Sequence, residues 1–205
     1  MGLSKADTRV YRTLLTRALK ISAPLANAIR NVGPVSSRRS GYPSIGHFLA
    51  RAIIGQQLSA SAARSIRSRV TQAASDAKME VTELSVACAE DVRACGVSMN
   101  KIKALQSVRR AERNGTLRET QLEGFEPQER TQILMRIHGV GPWTCDMAQI
   151  FYFDEPDIWP EGDVAVQRTF KRLIGRRSPR RTAERFSPYR SFLALTMWRV
   201  VDGGD

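Results

Sequence analysis

The sequence predicts an all-α protein. Apolar residues recur every three or four positions through most of the chain, which is the spacing of one buried helical face. No segment shows the alternation of apolar and polar residues between turns that half-buried strands require. Two polar, loop-forming stretches at residues 36–44 and 154–162 interrupt the helices. They divide the chain into an outer part, residues 1–40 plus 157–205, and an inserted part, residues 41–156.

The helices are predicted from start and stop residues as well as from periodicity. Ser59, Thr82 and Ser98 are expected N-caps, because their side-chain oxygens can accept hydrogen bonds from first-turn N–H groups. Gly96 and Gly115 stand where a helix is expected to end. The predicted helices cover residues 8–20, 45–57, 59–74, 82–95, 98–113, 127–136, 142–153, 163–174 and 187–201.

A glycine-containing turn, residues 138–141, joins the sixth and seventh predicted helices. Gly139 and Gly141 supply the backbone freedom of a tight reversal, and Pro142 suits the first turn of the helix that follows. N–H groups at the start of that helix form an anion site that one DNA phosphate would fit. Glycine turns between helices are also common without any ligand, so a purely structural turn is the alternative.

The charge of the chain favours a polyanionic partner. The formal net charge is +12, from 32 Lys and Arg against 20 Asp and Glu. Residues 168–181 contain seven basic residues and no acidic one. A solvated basic surface without a partner is the alternative, whereas a face that follows DNA phosphates would give strongly salt-dependent binding.

Cysteine use and hydropathy indicate an intracellular protein of the cytoplasm, nucleoid or nucleus. Three cysteines argue against a disulfide framework, and Cys88 and Cys95 are expected to be buried thiols. The first twenty residues are too polar for a signal peptide, and no apolar run approaches the roughly 20 residues that span a bilayer. His47 and His138 are too isolated to form a zinc site, so no catalytic metal is expected.

Several motifs, taken together and in order, resemble the helix-hairpin-helix, Gly/Pro-rich-loop, catalytic-aspartate (HhH-GPD) superfamily of DNA glycosylases. Within that superfamily the chain is most similar to the 3-methyladenine DNA glycosylase II branch. The motifs are IIGQQLS at 53–59, IHGVGPW at 137–143, WPEGD at 159–163, PYRS at 188–191, and Trp198.

The resemblance implies a two-lobed glycosylase fold with DNA and the extruded base in the cleft between the lobes. It puts Asp163 at the position of the catalytic aspartate. An ionised carboxylate there would stabilise positive charge that develops on the deoxyribose, and would orient or deprotonate the attacking water. Gly-Asp before an amphipathic run also predicts an ordinary helix N-cap, and the two roles can coexist.

The resemblance also identifies a base pocket formed by Trp143, Met147 and Trp198. Trp143 stands where lyase-competent relatives keep a lysine, so a monofunctional enzyme that uses water and has no AP-lyase activity is implied. An exposed aromatic face would attract a positively charged alkylated base, although Trp143 could instead be a core residue. Met147 replaces a tyrosine of some relatives, so the range of accepted bases is expected to differ.

The remaining expectations concern DNA contacts and cofactors. Gln57, with Leu58 beside it, matches the position from which relatives push a side chain into the base stack, although an ordinary helix end is the alternative. No cysteine follows Cys145, so no iron–sulfur cluster is expected. The resemblance allows a structural monovalent cation at the carbonyls of Ile137 and Val140. The predicted phosphate-binding hairpin consists of His138, Gly139, Val140, Gly141 and Thr144.

The implied function is that of a monomeric, monofunctional DNA glycosylase of base excision repair. It would hydrolyse the N-glycosidic bond of alkylated purines such as 3-methyladenine in double-stranded DNA and leave an abasic site. One alternative is a helix-hairpin-helix module that binds DNA without catalysis. The other is a glycosylase for deaminated or oxidised bases, including a glycosylase-lyase.

Overall fold

The computed structural model describes residues 4–36 and 41–203, and within these ranges it contains helices and no strand. This confirms the predicted all-α class. Residues 37–40 of the polar stretch predicted as a loop at 36–44, which include Arg38 and Arg39, lie outside the described residues. The helices are α1 (Lys5–Leu19), α2 (Ala23–Val32), α3 (Ile45–Gly55), α4 (Ala60–Asp76), α5 (Val81–Ala87), α6 (Ala89–Ala94), α7 (Met99–Arg113), α8 (Glu119–Leu122), α9 (Pro127–Leu134), α10 (Pro142–Phe151), α11 (Val164–Ile174), α12 (Pro179–Glu184) and α13 (Arg190–Asp202).

One predicted helix, over residues 82–95, is in fact two. The chain leaves helical geometry at Cys88, with φ −141° and ψ 68°, so that α5 ends and α6 begins there. Cys88 is exposed and Cys95 is half-buried, and the expectation that both are buried thiols is therefore wrong.

The predicted N-caps have mixed outcomes. Ser59 caps α4 by accepting a hydrogen bond from the Ala62 N–H at 3.2 Å, and Ser98 caps α7 in the same way. Thr82 is not a cap, because α5 begins one residue earlier, with Glu80 at the N-cap position. Thr82 is instead buried, and its hydroxyl donates to Glu112 on α7 at 2.9 Å.

The chain forms two compact units: unit 1 is Met1–Arg39 with Gln149–Asp205, and unit 2 is Ser40–Ala148. The sequence places the second boundary at 156/157, in the loop after α10, whereas the unit boundary falls inside α10. The reason is that the end of α10 packs within unit 1, where Phe151 contacts Trp198. The domain boundaries stay a prediction.

Unit 1 is built on an aromatic and aliphatic core. Phe170 of α11 packs edge-on against Trp159 and Phe186, with ring centroids 4.9 and 6.4 Å apart. Leu14 of α1 and Leu25 of α2 are almost completely buried in the same cluster. These contacts hold α11, and therefore the residue that begins it, against the rest of the unit.

Unit 2 is organised around α3, which packs against α4, α5 and α7. Ile45, Leu49 and Ile53 recur every four residues on α3 and are almost completely buried. Gly46 lets the side chain of Glu112 lie directly against α3, where a Cβ would collide with it. Within the part of the chain that the structure describes, no helix is long and apolar enough to cross a membrane.

Candidate functional site

The turn between α9 and α10 is fixed by backbone hydrogen bonds. The Val140 N–H donates to the Ile137 carbonyl at 3.0 Å, and the His138 N–H donates to Ser107 Oγ at 3.1 Å. Gly139 has φ +86°, and a Cβ there would collide with Ala104. Gly139 is therefore required both for backbone conformation and for close packing against α7.

The other hairpin residues differ in what they present. His138 and Gly139 are exposed, whereas Val140 is buried. Gly141 does not have a positive φ and has open space where a Cβ would stand, so the expectation that it supplies backbone freedom is wrong. Thr144 is 1% exposed, and its hydroxyl accepts a hydrogen bond from Gln56 at the end of α3, so its side chain serves packing within unit 2.

A second turn of unit 2, after α3, carries the two residues predicted to enter the base stack. Gln57 is exposed and has φ +56°, in the left-handed region that residues with side chains rarely adopt. Leu58 is 37% exposed. Both side chains are therefore directed to solvent rather than buried in the unit.

Asp163 lies at the N-terminus of α11 in unit 1 and is 8% exposed. Its Oδ1 accepts a hydrogen bond from the Val166 N–H at 2.9 Å, which makes it the N-cap that the sequence predicts. Its own N–H donates to the Pro160 carbonyl at 3.1 Å, and the Gln167 side chain donates to the same carbonyl. The carboxylate is thus nearly buried, held at the positive end of a helix and fixed in orientation.

The loop that precedes Asp163 is anchored by the start of α13. Arg190 Nε and Nη2 donate to the two carboxylate oxygens of Asp157 at 2.8 and 2.9 Å. Ser191 Oγ donates to the Glu155 carbonyl at 2.6 Å and accepts from the Ile158 N–H at 2.9 Å. Arg190 and Ser191, the last two residues of the PYRS motif, therefore hold the aspartate loop in place.

The charge state of Asp157 reflects the same contacts. Burial alone would raise the pKa of Asp157, but hydrogen bonds from Arg190 and Ser187 outweigh it and hold the pKa below its ordinary value. The side chains of Asp157 and Arg190 are 27% and 30% exposed, so the pair is only partly screened by solvent.

The predicted pocket residues occupy two elements. Trp143 and Met147 lie one turn apart on α10, where Trp143 is half-buried and Met147 is 6% exposed. Trp198, on α13, is half-buried and packs at 5.4 Å against Phe151. Phe151 continues the spacing of Trp143 and Met147 by one further turn, and that spacing could have marked it as a pocket candidate.

The seven basic residues of the 168–181 segment are all exposed, on α11, α12 and the turn between them. Two of them also brace that turn: Lys171 Nζ donates to the Arg177 carbonyl, and Arg177 donates to the Ile174 carbonyl. Arg180 forms ion pairs with Glu161 and Glu184, so part of this charge is locally neutralised.

Metal-binding side chains are not clustered in the part of the chain that the structure describes. Among the described residues, no group of three or more His, Cys, Asp and Glu side chains could hold a metal ion. Cys145 is completely buried, and burial raises the pKa of its thiol to about 11. The monovalent cation expected at the carbonyls of Ile137 and Val140 stays a prediction.

Comparison with known proteins gives concordant matches. A family model described as "HhH-GPD superfamily base excision DNA repair protein" matches residues 50–189. DNA-3-methyladenine glycosylase 1 of Schizosaccharomyces pombe is 28% identical over 170 residues, which are 77% of this chain and 72% of the relative.

Solved structures match over almost the whole chain. The S. pombe 3-methyladenine DNA glycosylase in complex with abasic DNA has a TM-score of 0.81 at 25% identity, covering 94% of this chain and 96% of its own. The DNA-3-methyladenine glycosidase of Bacillus halodurans has a TM-score of 0.77 at 28% identity, covering 97% and 92% respectively.

Proposed function

The chain belongs to the HhH-GPD superfamily of base excision DNA repair proteins, and we propose from this premise that it is a DNA glycosylase for alkylated purines such as 3-methyladenine. The observation that carries the proposal is Asp163, a nearly buried carboxylate fixed at the start of α11 by its cap and by an anchored loop. The names of the similar proteins support the same substrate class.

Asp163 acts on charge that develops during bond cleavage. Breaking the N-glycosidic bond leaves positive charge on the deoxyribose, and an ionised carboxylate in a largely desolvated position stabilises that charge. The carboxylate also orients or deprotonates the water that attacks the sugar. Its rigid cap means that little reorganisation is needed at the moment of reaction.

We propose that Trp143, Met147 and Trp198 each contact the flipped base, and we add Phe151 to them because it packs on Trp198. An alkylated purine that carries positive charge gains a cation–π contribution of about 0.5–2 kcal/mol on an aromatic face. Such a base also departs without a general acid. Deaminated and oxidised bases lack that charge and are expected to be poorer substrates.

Water, rather than a lysine amine, is the nucleophile. Lyase chemistry needs an amine that forms a Schiff base with the sugar carbon, and the corresponding position holds Trp143. Borohydride reduction during turnover is expected to trap no covalent protein–DNA adduct. A trapped adduct would contradict the monofunctional assignment.

Double-stranded DNA is held by the hairpin and by the exposed basic residues of α11 and α12. The turn at His138 and Gly139 is exposed, and N–H groups at a helix start bind one phosphate. Gln57, with Leu58, fills the space left by the flipped base.

We propose that the protein acts as a monomer. We also propose that a monovalent cation at the Ile137 and Val140 carbonyls strengthens the hairpin. Replacing K⁺ with Li⁺ at constant ionic strength would then weaken DNA binding.

The decisive experiment is Asp163→Asn with alkylated duplex DNA. Asparagine caps a helix about as well as aspartate, so the substitution removes the charge and preserves the cap. Release of 3-methyladenine is expected to fall by about 100-fold or more, while DNA affinity changes little. Asp202→Asn, an exposed position at the end of α13, is the matched control.

The same measurement separates the alternatives. If the wild-type protein binds duplex DNA but releases no base, the chain is a DNA-binding module. If it releases deaminated or oxidised bases faster than 3-methyladenine, the substrate assignment is wrong. Undiminished release by Asp163→Asn would refute the catalytic role of that residue.

A further inference from the structure

Lys101 of α7 has an unusual set of partners. Its ammonium Nζ donates to the carbonyls of Ile54 and Gln56, both at 2.8 Å. No carboxylate of the described residues pairs with it, and burial lowers its pKa. A cation in this place satisfies carbonyls that the end of α3 leaves without helical partners, and it faces the negative end of that helix.

The Gln56 carbonyl belongs to the peptide unit that leads into Gln57. Because a peptide unit is planar, holding that carbonyl also fixes the nitrogen of Gln57. Gln57 then has φ +56°, a conformation that persists in a residue with a side chain only when its surroundings impose it. Lys101 is the described side chain that holds this peptide unit.

The Gln56 side chain connects the same turn to the hairpin. Its Nε2 donates to the Gly139 carbonyl at 3.1 Å and to Thr144 Oγ1 at 3.0 Å. Since a carbonyl can only accept, the amide nitrogen must face Gly139, which fixes the orientation of the amide. The turn that carries Gln57 and the turn proposed to hold phosphate are therefore hydrogen-bonded to each other within unit 2.

We propose that Lys101 and Gln56 are positioning residues that hold Gln57 and the hairpin as one rigid body. Phosphate binding at the hairpin then sets where the Gln57 side chain enters the base stack. The proposal rests on the proposed function, because it assigns to these residues the task of aiding base flipping. Neither residue touches the base or the sugar.

The first test needs no activity. Amide hydrogen exchange of the free protein is compared among wild type, Lys101→Met, Gln56→Glu and Lys103→Met. Lys103 lies exposed on the same helix and is the matched control. In Gln56→Glu, exchange is expected to accelerate about tenfold or more at His138 and Val140, whose amides are hydrogen-bonded. In Lys101→Met, the same acceleration is expected at the Gln56 amide. Unchanged exchange at these amides would overturn the proposal.

The second test measures single-turnover excision by wild type, Lys101→Met, Gln56→Glu and Lys103→Met on two duplexes. In one duplex the damaged base lies opposite its normal partner, and in the other it lies in an already destabilised mismatch. Flipping costs more from the paired duplex, so loss of Gln57 positioning is expected to slow that reaction about tenfold and the mismatch reaction much less. An equal loss on both duplexes would indicate a general structural defect and would refute a positioning role.

A phosphate contact by Lys101 itself is the competing explanation. It predicts that the salt slope of DNA binding falls by about one in Lys101→Met, whereas a positioning role leaves the slope unchanged. A reduced slope would overturn the proposal. If wild type and Lys103→Met excise no base at all, the proposed function fails, while the exchange measurement still decides whether the two turns form one rigid body.

Discussion

At the scale of the residue, glycine occupies two positions of the α9–α10 turn, and only one of them requires it. Gly139 has a positive φ and lies against Ala104, so any side chain is excluded on both grounds. Gly141 has neither restriction. A glycine that the fold does not need leaves space beside the backbone, and here that space adjoins the proposed phosphate.

The two glycines can be separated by substitution. Gly139→Ala is expected to destabilise unit 2 by about 2 kcal/mol or more, because of strain and the collision with α7. Gly141→Ala is expected to leave the melting temperature nearly unchanged and to weaken binding of undamaged duplex DNA severalfold. Thermal unfolding and fluorescence anisotropy check the pair; normal DNA affinity in Gly141→Ala would contradict the close approach of a phosphate.

At the scale of the element, the start of α13 anchors the loop that leads to Asp163. The contact is electrostatic as well as geometric, since Arg190 holds the pKa of Asp157 down against its burial. A carboxyl whose pKa is lowered by folding contributes stability that is present above its unfolded pKa. That stability is lost as the pH falls through the lower, folded value.

Asp157→Asn is therefore expected to lower the free energy of unfolding by about 1–3 kcal/mol at pH 7, since a hydrogen-bonded charge is removed. The difference from wild type should shrink as the pH falls below about 4, because the carboxyl of the unfolded chain then takes up a proton while Arg190 keeps the folded carboxylate ionised to lower pH. Urea unfolding at pH 7 and pH 3 measures this, with Asp202→Asn as control. A gap that stays constant with pH would show that the ion pair is not its source.

Elements also show what sequence patterns could and could not predict. Helix α2 was missed although Pro24 in its first turn and Gly33 after its end are ordinary boundary residues. The break at Cys88 could not be predicted, because no glycine or proline stands there. Lys101 could not be identified, because its partners are backbone carbonyls 45 and 47 positions away. Asp163 was predictable as a cap, and family resemblance alone gave it a catalytic role.

At the scale of the whole molecule, the net charge is +12, but the basic residues are not equally available to bind DNA phosphates. Arg172 and Arg176 are exposed in the basic segment, while Arg180 is already paired with Glu161 and Glu184. A basic residue that neutralises a DNA phosphate releases counterions. Its removal therefore makes DNA affinity less dependent on salt concentration.

Arg172→Gln and Arg176→Gln are each expected to weaken duplex binding and to reduce the salt slope by about one. Arg113→Gln, an exposed position at the end of α7, removes the same charge elsewhere and is expected to leave the slope unchanged. Binding titrations between low and moderate salt provide the measurement. If all three variants keep the wild-type salt slope, the DNA lies away from α11 and α12.

The burial of Cys145 has a chemical consequence for a protein that meets alkylating agents together with its substrate. With a pKa of about 11, the thiol carries almost no thiolate at neutral pH, and the thiolate is the nucleophilic form. Cys88, exposed at the break between α5 and α6, is the cysteine that iodoacetamide should modify first. Mass spectrometry should find Cys145 unmodified in the native protein and modified only after unfolding. Helix α10, which carries both Cys145 and Trp143, would therefore escape alkylation at this thiol under the conditions that create the lesion.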